Sequence, residues 1–179
     1  MTPQPPPLSA RAREITRCAR RLVEAHGWDA VTMRVLAAEL GIKAPSLYKH
    51  FRNRDALRAA LITDALAETG ERLHAALQQE HSIAALLHEY RQLAQSSPNM
   101  YRLATVGEMP RSDLPDGLEE WAGEPFFLVT NDPHLAQALW SYAHGMAILE
   151  IDNRYPPGSE LDQTWEKGIQ AFVSSLSGD

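Results

Sequence analysis

The sequence of 179 residues has a single cysteine, Cys18, so an intrachain disulfide is excluded and a reducing compartment is indicated. It also lacks any apolar run of about 18 residues, the length that a membrane-spanning helix needs. Its first residues do not have the basic-then-apolar order of a signal peptide. The prolines of residues 1–8 instead predict a disordered, extended arm. We therefore expect a cytoplasmic protein.

Sequence motifs of common catalytic and metal sites are absent as well. There is no G-x-S-x-G, no phosphate-binding glycine loop, no H-E-x-x-H and no C-x-x-C. His74, His81 and His88 recur every seven residues, whereas metal ligands on one helix are typically three or four residues apart. The sequence thus predicts no enzyme, no metal site and no cofactor.

Charge is distributed unevenly along the chain. The net charge of −6 does not by itself favour a nucleic-acid partner. Residues 1–58, however, hold eleven basic and five acidic side chains, and the other 121 residues hold six basic and eighteen acidic ones. A basic first third on an acidic remainder predicts an anionic partner at one end of the molecule. The alternative is a charged surface that is merely solvated.

Residues 32–57 have the pattern of a helix-turn-helix. Thr32 is a suitable N-cap for a short helix over residues 33–40, and Gly41 supplies the left-handed residue of the turn. Ile42 and Leu47 anchor the second helix to the first. The side chains left facing outward are Ala44, Pro45, Ser46, Tyr48, Lys49 and His50. An exposed, basic and polar helix after such a turn is suited to a DNA major groove.

The rest of the chain also reads as helices. Helical spacing and capping residues predict helices at about 9–26, 53–79, 82–96, 98–107, 133–151 and 160–176. Prolines and glycines between residues 109 and 131 break any long helix there, and we expect no more than a short turn at 118–121. The prediction is an all-α protein of about nine helices. We expect a DNA-binding domain over 9–52 and a regulatory body over 53–179, joined by the long helix that begins at residue 53.

The helix predicted at 133–151 has apolar residues on two faces, although a surface helix needs only one. We therefore predict that it pairs with the last helix, at about 160–176, to form a homodimer interface with the same helices of a second copy. The alternative is that one monomer buries both faces.

The run from Thr32 to Phe51, TMRVLAAELGIKAPSLYKHF, and the following NRDAL resemble the DNA-binding head of the TetR family of bacterial transcriptional regulators. A weaker match, WSYAHG from Trp140 to Gly145, resembles a signature of one subgroup's C-terminal domain. The resemblance implies a homodimeric, sequence-specific regulator. Such a regulator is most often a repressor that a small-molecule effector releases from a pseudo-palindromic operator. The alternatives are a ligand-independent architectural DNA-binding protein and, with little support, an enzyme on a helical scaffold.

The same resemblance assigns candidate DNA contacts. It places phosphate contacts on Thr32, Tyr48, His50 and Arg54. Base-edge contacts fall on Lys43, Ala44, Pro45, Ser46 and Lys49, and Arg34 completes the predicted set. Lys43 stands where the family commonly has a serine or threonine cap, so we expect the recognition helix to begin less firmly. Arg11 and Arg13 either reach a minor groove or are solvated charges.

Six residues are candidates for an effector cavity: Met100, Tyr101, Phe126, Phe127, Trp140 and His144. Trp140 and His144 lie four residues apart on one helical side, so core packing explains their positions equally well. The acidity of the body disfavours a polyanionic effector and leaves neutral, aromatic or cationic compounds open.

Overall fold

The computed structural model describes residue 3 and residues 7–176, and within them it contains nine α-helices, two short 3-10 turns and no strand. The predicted all-α class is confirmed. The arm predicted at residues 1–8 lies mostly outside the described residues. The helices are α1 (Ala10–His26), α2 (Met33–Glu39), α3 (Ala44–Leu47), α4 (Arg54–Gln79), α5 (Ile83–Ser96), α6 (Pro98–Thr105), α7 (Leu118–Thr130), α8 (Pro133–Ile151) and α9 (Leu161–Leu176).

Polar side chains fix the starts of five helices. Ser9, Thr32, Asn53, Ser82 and Asp132 each accept a hydrogen bond from the backbone N–H three residues later. Each bond satisfies one of the donors that have no partner inside the helix. The helix starts predicted at these positions are confirmed.

The prediction for residues 109–131 is wrong, because α7 runs for 13 residues with Pro125 inside it. Proline has no N–H to donate to the carbonyl four residues earlier, which here belongs to Trp121. The Nε2 atom of His74 lies 3.1 Å from that carbonyl oxygen and can supply the missing donor. The helix therefore continues because a side chain from α4 repairs its hydrogen bonding.

A second histidine contacts the end of the same helix. The Nε2 atom of His81 lies 3.1 Å from the carbonyl oxygen of Leu128, which is among the last four carbonyls of α7 and has no partner within the helix. His74 and His81 are seven residues apart, and so are Trp121 and Leu128, whose carbonyls they contact. The spacing of the two histidines therefore corresponds to two turns of α7. Among the described residues no cluster of His, Cys, Asp and Glu is arranged to hold a metal ion.

The chain divides into two compact units. Unit 1 contains Met1–Ala67 and Ser97–Glu119, and unit 2 contains Glu68–Ser96 and Glu120–Asp179. By contacts, therefore, the first half of α4 and all of α6 belong with helices α1–α3, whereas the sequence placed them in the regulatory body.

Unit 1 is built around an apolar core that α1, α2, α3, α4 and α6 share. Ile15, Leu36, Leu47, Leu57 and Leu61 are all essentially inaccessible to solvent. Met100 and Leu103 of α6 belong to the same cluster.

A polar contact also joins α1 to α6. The Glu24 carboxylate accepts hydrogen bonds from the backbone N–H groups of Asn99 (3.4 Å) and Met100 (3.1 Å), in the first turn of α6. The side chain of Asn99 donates to the Glu24 carbonyl at 2.8 Å. A carboxylate at a helix N-terminus is favourable because the helix dipole is positive there. Glu24 thus takes the place of the side-chain cap that Ser97 does not provide.

Unit 2 packs α5 against α8 and α9. At its centre Arg91 of α5 donates two hydrogen bonds to the Glu150 carboxylate of α8, at 2.9 and 2.7 Å, and a third to Asp162 of α9 at 2.7 Å. The buried Trp165 ring of α9 donates to the same Glu150 carboxylate at 2.9 Å. This ion-pair network links three helices. No helix in the described part of the chain is long and apolar enough to span a membrane.

Candidate nucleic-acid interface

The turn between α2 and α3 has the geometry that the sequence predicted. Gly41 has a φ of 64°, a backbone conformation that residues with a side chain rarely adopt. Its N–H bonds to the Ala38 carbonyl at 3.1 Å, and the N–H of Ile42 bonds to the Ala37 carbonyl at 2.9 Å. This pair of bonds is a Schellman motif. It ends α2 and sets the direction in which α3 leaves.

The recognition helix α3 is only four residues long. Lys43 precedes it without a side-chain capping bond, as the departure from the family pattern at this position led us to expect. Such a short helix depends on tertiary contacts. These come from Leu47 and Phe51, which are 0% and 5% exposed. The buried pair holds the segment on the core of unit 1.

The predicted DNA-contact residues form an accessible face around this helix. Seven of the ten side chains are exposed: Thr32, Arg34, Lys43, Pro45, Tyr48, Lys49 and His50. Tyr48 has a large aromatic side chain, yet the residue is 51% exposed. Ala44, Ser46 and Arg54 are half-buried. Thr32 uses its oxygen as an acceptor for the N–H of Val35, which leaves its hydroxyl proton available to an external acceptor.

Arg54 has structural partners inside unit 1. Its Nε donates to the Val31 carbonyl at 2.7 Å, and its Nη2 donates to the Trp28 carbonyl. Its guanidinium lies 4.2 Å from the centre of the Trp28 ring, a cation–π distance. Arg54 therefore ties the start of α4 to the segment that connects α1 and α2. Sequence reasoning missed Trp28, because the two residues lie 26 positions apart and nothing local indicates their contact.

The two arginines near the start of α1 have local partners. Arg11 forms an ion pair with Glu14, and the Nη1 atom of Arg13 donates to the Leu8 carbonyl at 2.7 Å. Both contacts are local to the start of α1.

The six candidates for an effector cavity fall in both units. Met100, which is buried, and Tyr101 belong to unit 1, and the other four belong to unit 2. Phe126 is buried edge-on against Tyr90, with ring centres 5.6 Å apart, whereas the neighbouring Phe127 is 42% exposed.

The structure brings Trp140 and His144 of α8 together. Their rings stack with centres 6.1 Å apart, and Trp140 is 48% exposed. Burial lowers the pKa of His144 from its ordinary value, because the charged imidazolium loses hydration. The pair thus presents a neutral, largely aromatic surface at neutral pH.

Comparison with known proteins agrees with this architecture. Residues 15–61 match the profile described as bacterial regulatory proteins, tetR family, and residues 83–172 match the profile described as a tetracyclin repressor-like C-terminal domain. The chain is 28% identical to an uncharacterized HTH-type transcriptional regulator of Mycobacterium tuberculosis, Rv0681. The matched 159 residues cover 81% of this chain and 72% of that protein.

Two further proteins resemble the chain in different ways. It is 46% identical over 54 residues to the class A tetracycline repressor from transposon 1721 of Escherichia coli. That match covers 30% of this chain and 25% of the repressor. A TetR variant of Acinetobacter baumannii, solved in complex with minocycline, shares the fold with a TM-score of 0.64 and 21% identity, over 96% of this chain and 97% of that one.

These matches agree with the short recognition helix on its buried anchors and with the helices of the remaining chain. Regulators of this family bind DNA operators and small-molecule ligands, are dimeric and are not enzymes, so the prediction of no catalytic activity is confirmed. The chain belongs to the TetR family of DNA-binding transcriptional regulators.

Proposed function

We propose that the chain is a homodimeric, cytoplasmic repressor whose ten candidate residues, from Thr32 to Arg54, contact an operator. The observation that carries the proposal is the exposed face of residues 43–50, held on a buried anchor. Tyr48, Lys49 and His50 point a phenol, an ammonium and an imidazole away from the core, which suits phosphate and base-edge contacts. In a dimer, two such faces enter major grooves about one helical turn of DNA apart, or a multiple of it.

The last two long helices supply the proposed dimer interface. Large apolar side chains of α8 and α9 are exposed, namely Trp140 (48%), Leu149 (41%), Val173 (45%) and Leu176 (43%). The buried side of α8 holds Leu139 and Ala143, which come from the two different apolar faces predicted from the sequence. A second copy would cover the flank that carries Trp140.

Sedimentation equilibrium tests this interface. Trp140→Lys places a charge in the proposed contact and should raise the dimer dissociation constant by at least about tenfold. Gln163→Lys, an exposed polar position of α9, adds the same charge and should leave dimerisation unchanged. Equal dimerisation of the two variants would refute the proposed interface.

The effector part of the proposal rests on the shared fold with a minocycline-bound TetR protein and on the aromatic residues of unit 2. Phe126 and His144 are the candidates with substantial burial there, whereas Phe127 and Trp140 offer exposed rings. Met100 and Tyr101 remain candidates on the unit 1 side. An effector releases DNA only as far as it binds the released state more tightly than the bound state.

Selection of bound fragments from random DNA tests the central claim. The purified protein should be used at near-physiological salt, because phosphate contacts dominate at low salt and mask specificity. A recovered palindrome would support the dimeric regulator and give the half-site spacing. A folded, dimeric protein that enriches no motif would refute sequence-specific recognition and would favour an architectural DNA-binding role.

Point variants then separate the roles of the contact residues. Tyr48→Ala should weaken binding to all sequences alike, whereas Lys49→Ala should also relax the preference at one base pair. Arg54→Ala should lower the thermal midpoint as well as the DNA affinity, since Arg54 also braces Trp28. Equal losses on every sequence for Tyr48→Ala and Lys49→Ala would contradict the base contact.

A further inference from the structure

A pocket of about 350 Å³ lies in unit 1, where the end of α1 meets α4 and α6. Its lining includes His26, Arg58, Arg102, Leu103 and Val106. The volume falls at the lower end of the range for small-molecule sites, roughly 300–1,000 Å³. None of these residues is among the effector candidates that the sequence suggested, so the pocket is a separate site.

Arg58 is the most informative side chain of this pocket. It is half-buried, yet its one hydrogen bond runs from Nη1 to the Glu108 carbonyl at 3.4 Å. No carboxylate pairs with it in the part of the chain that the structure describes. A guanidinium has five N–H donors, so most of its capacity remains for an anion in the pocket. Arg54, one turn earlier on α4, differs because two carbonyls and a tryptophan ring occupy its guanidinium.

The charges around Arg58 favour an anion. Arg102 also lines the pocket, and its Nη1 donates to the side chain of Asn99 at 2.9 Å. Asp29 is the acid of the lining and is exposed. Glu24, just outside the pocket, is already bound to the N–H groups at the start of α6. Neither of these two acids is paired with Arg58, so its positive charge remains for an anionic ligand.

Apolar groups form the other part of the wall. Leu103 is buried, the side chain of Val106 is 52% exposed, and the half-buried Trp28 completes the lining on the α1 side. A ligand that satisfies both parts carries one anionic group and a compact apolar body. We infer that this pocket binds a small organic carboxylate, with Arg58 as its principal partner.

The position of the pocket gives binding a regulatory consequence, which rests on the proposed function. Its walls come from the end of α1, from Arg58 of α4 and from α6, and Glu24 joins α1 to α6 beside it. A ligand whose carboxylate binds Arg58 and whose apolar body lies against Leu103 and Val106 favours one arrangement of α6 against α4. If DNA favours the other arrangement, the carboxylate lowers the affinity for DNA, and DNA lowers the affinity for the carboxylate by the same factor.

Isothermal titration calorimetry on the full chain without DNA tests the site. The probes are benzoate and hexanoate, each compared with its neutral amide, benzamide or hexanamide. We expect saturable binding of at least one carboxylate, with its amide weaker by at least about tenfold because the charged hydrogen bonds are lost. Carboxylate and amide binding equally well, or no saturable binding of either acid to the folded protein, would overturn the inference.

Three variants locate the binding. Arg58→Gln should raise the dissociation constant of the carboxylate by at least about tenfold. Arg154→Gln removes the same charge from an exposed position in unit 2 and should have no effect. Val106→Phe should fill the pocket and abolish binding while circular dichroism shows an unchanged fold. Wild-type affinity in Arg58→Gln, or an equal loss in Arg154→Gln, would place the ligand elsewhere.

The regulatory half is measured on the operator recovered by selection. A saturating carboxylate should raise the dissociation constant for DNA, and bound DNA should raise that of the carboxylate by the same factor. An unchanged DNA affinity with the ligand bound would refute the coupling. If no specific operator exists, the proposed function fails while the calorimetric result still decides the pocket.

Discussion

Replacing Glu150 by glutamine perturbs the network that joins α5, α8 and α9. The carboxylate accepts four hydrogen bonds, two from Arg91, one from Gln95 and one from Trp165, all between 2.7 and 2.9 Å. The Arg91 and Glu150 side chains are only 17% and 13% exposed, so water replaces these bonds poorly. Glutamine keeps the shape but turns one acceptor oxygen into an N–H₂ group that faces other donors.

The expected loss follows from this geometry. Removing one member of a buried ion pair typically costs about 3–5 kcal/mol. Because Arg91 keeps its contact with Asp162, we expect the lower end, about 3 kcal/mol of unfolding free energy. For a chain of this length that corresponds to a decrease of roughly 6–12 °C in the thermal midpoint.

Thermal and urea unfolding followed by circular dichroism measure the loss. Glu166→Gln is the matched control, since Glu166 pairs with His88 at 2.8 Å but both side chains are more than half exposed. An exposed pair of this kind contributes less than about 1 kcal/mol. If Glu150→Gln costs no more than Glu166→Gln, the network does not stabilise unit 2 and the reasoning is refuted.

The loss of unfolding free energy that Glu150→Gln causes should depend on pH. Burial alone raises the pKa of Glu150, but the hydrogen bonds from Arg91, Trp165 and Gln95 outweigh it and hold the pKa below its ordinary value. A group with a lowered folded-state pKa stabilises the fold above its unfolded pKa, about 4.3 for glutamate, and loses that contribution as the pH falls through the folded-state pKa. The difference in unfolding free energy between wild type and Glu150→Gln should therefore be largest at neutral pH and should shrink below about pH 4. A difference that stays constant on acidification would contradict this assignment.

Two further predictions concern α7. Gly70→Ala should cost about 1–3 kcal/mol, because a Cβ there would lie within 3 Å of three ring atoms of Trp121. Gly123→Ala, where a Cβ meets nothing within 4 Å, should raise stability by up to about 1 kcal/mol, and a similar loss in both variants would contradict the close approach. His74→Phe should cost about 1–2 kcal/mol in the wild type, and clearly less in a Pro125→Ala background that restores the missing N–H. Equal costs in the two backgrounds would show that His74 does not repair the helix.

Local chemistry explains what could be predicted from the sequence. Thr32, Asn53 and Asp132 cap helices by bonding to a backbone N–H three residues away, and Gly41 turns the chain by its own conformational freedom. Each of these features depends on neighbours within a few residues. The helix-turn-helix and the family resemblance are therefore readable from 26 consecutive positions, 32–57.

Long-range contacts decided the remaining features. Pro125 predicts a broken helix unless His74, 51 positions earlier, is known to lie beside it. The family pattern predicts that Arg54 contacts a phosphate, and only the fold shows that Trp28 also lies beside its guanidinium. The helical class and the exposed recognition face were predictable from the sequence, because capping, turn geometry and helical spacing act locally. Which arginines are already occupied and which, like Arg58, still have donors for a ligand could be seen only in the folded chain, because a partner's position depends on how distant segments pack.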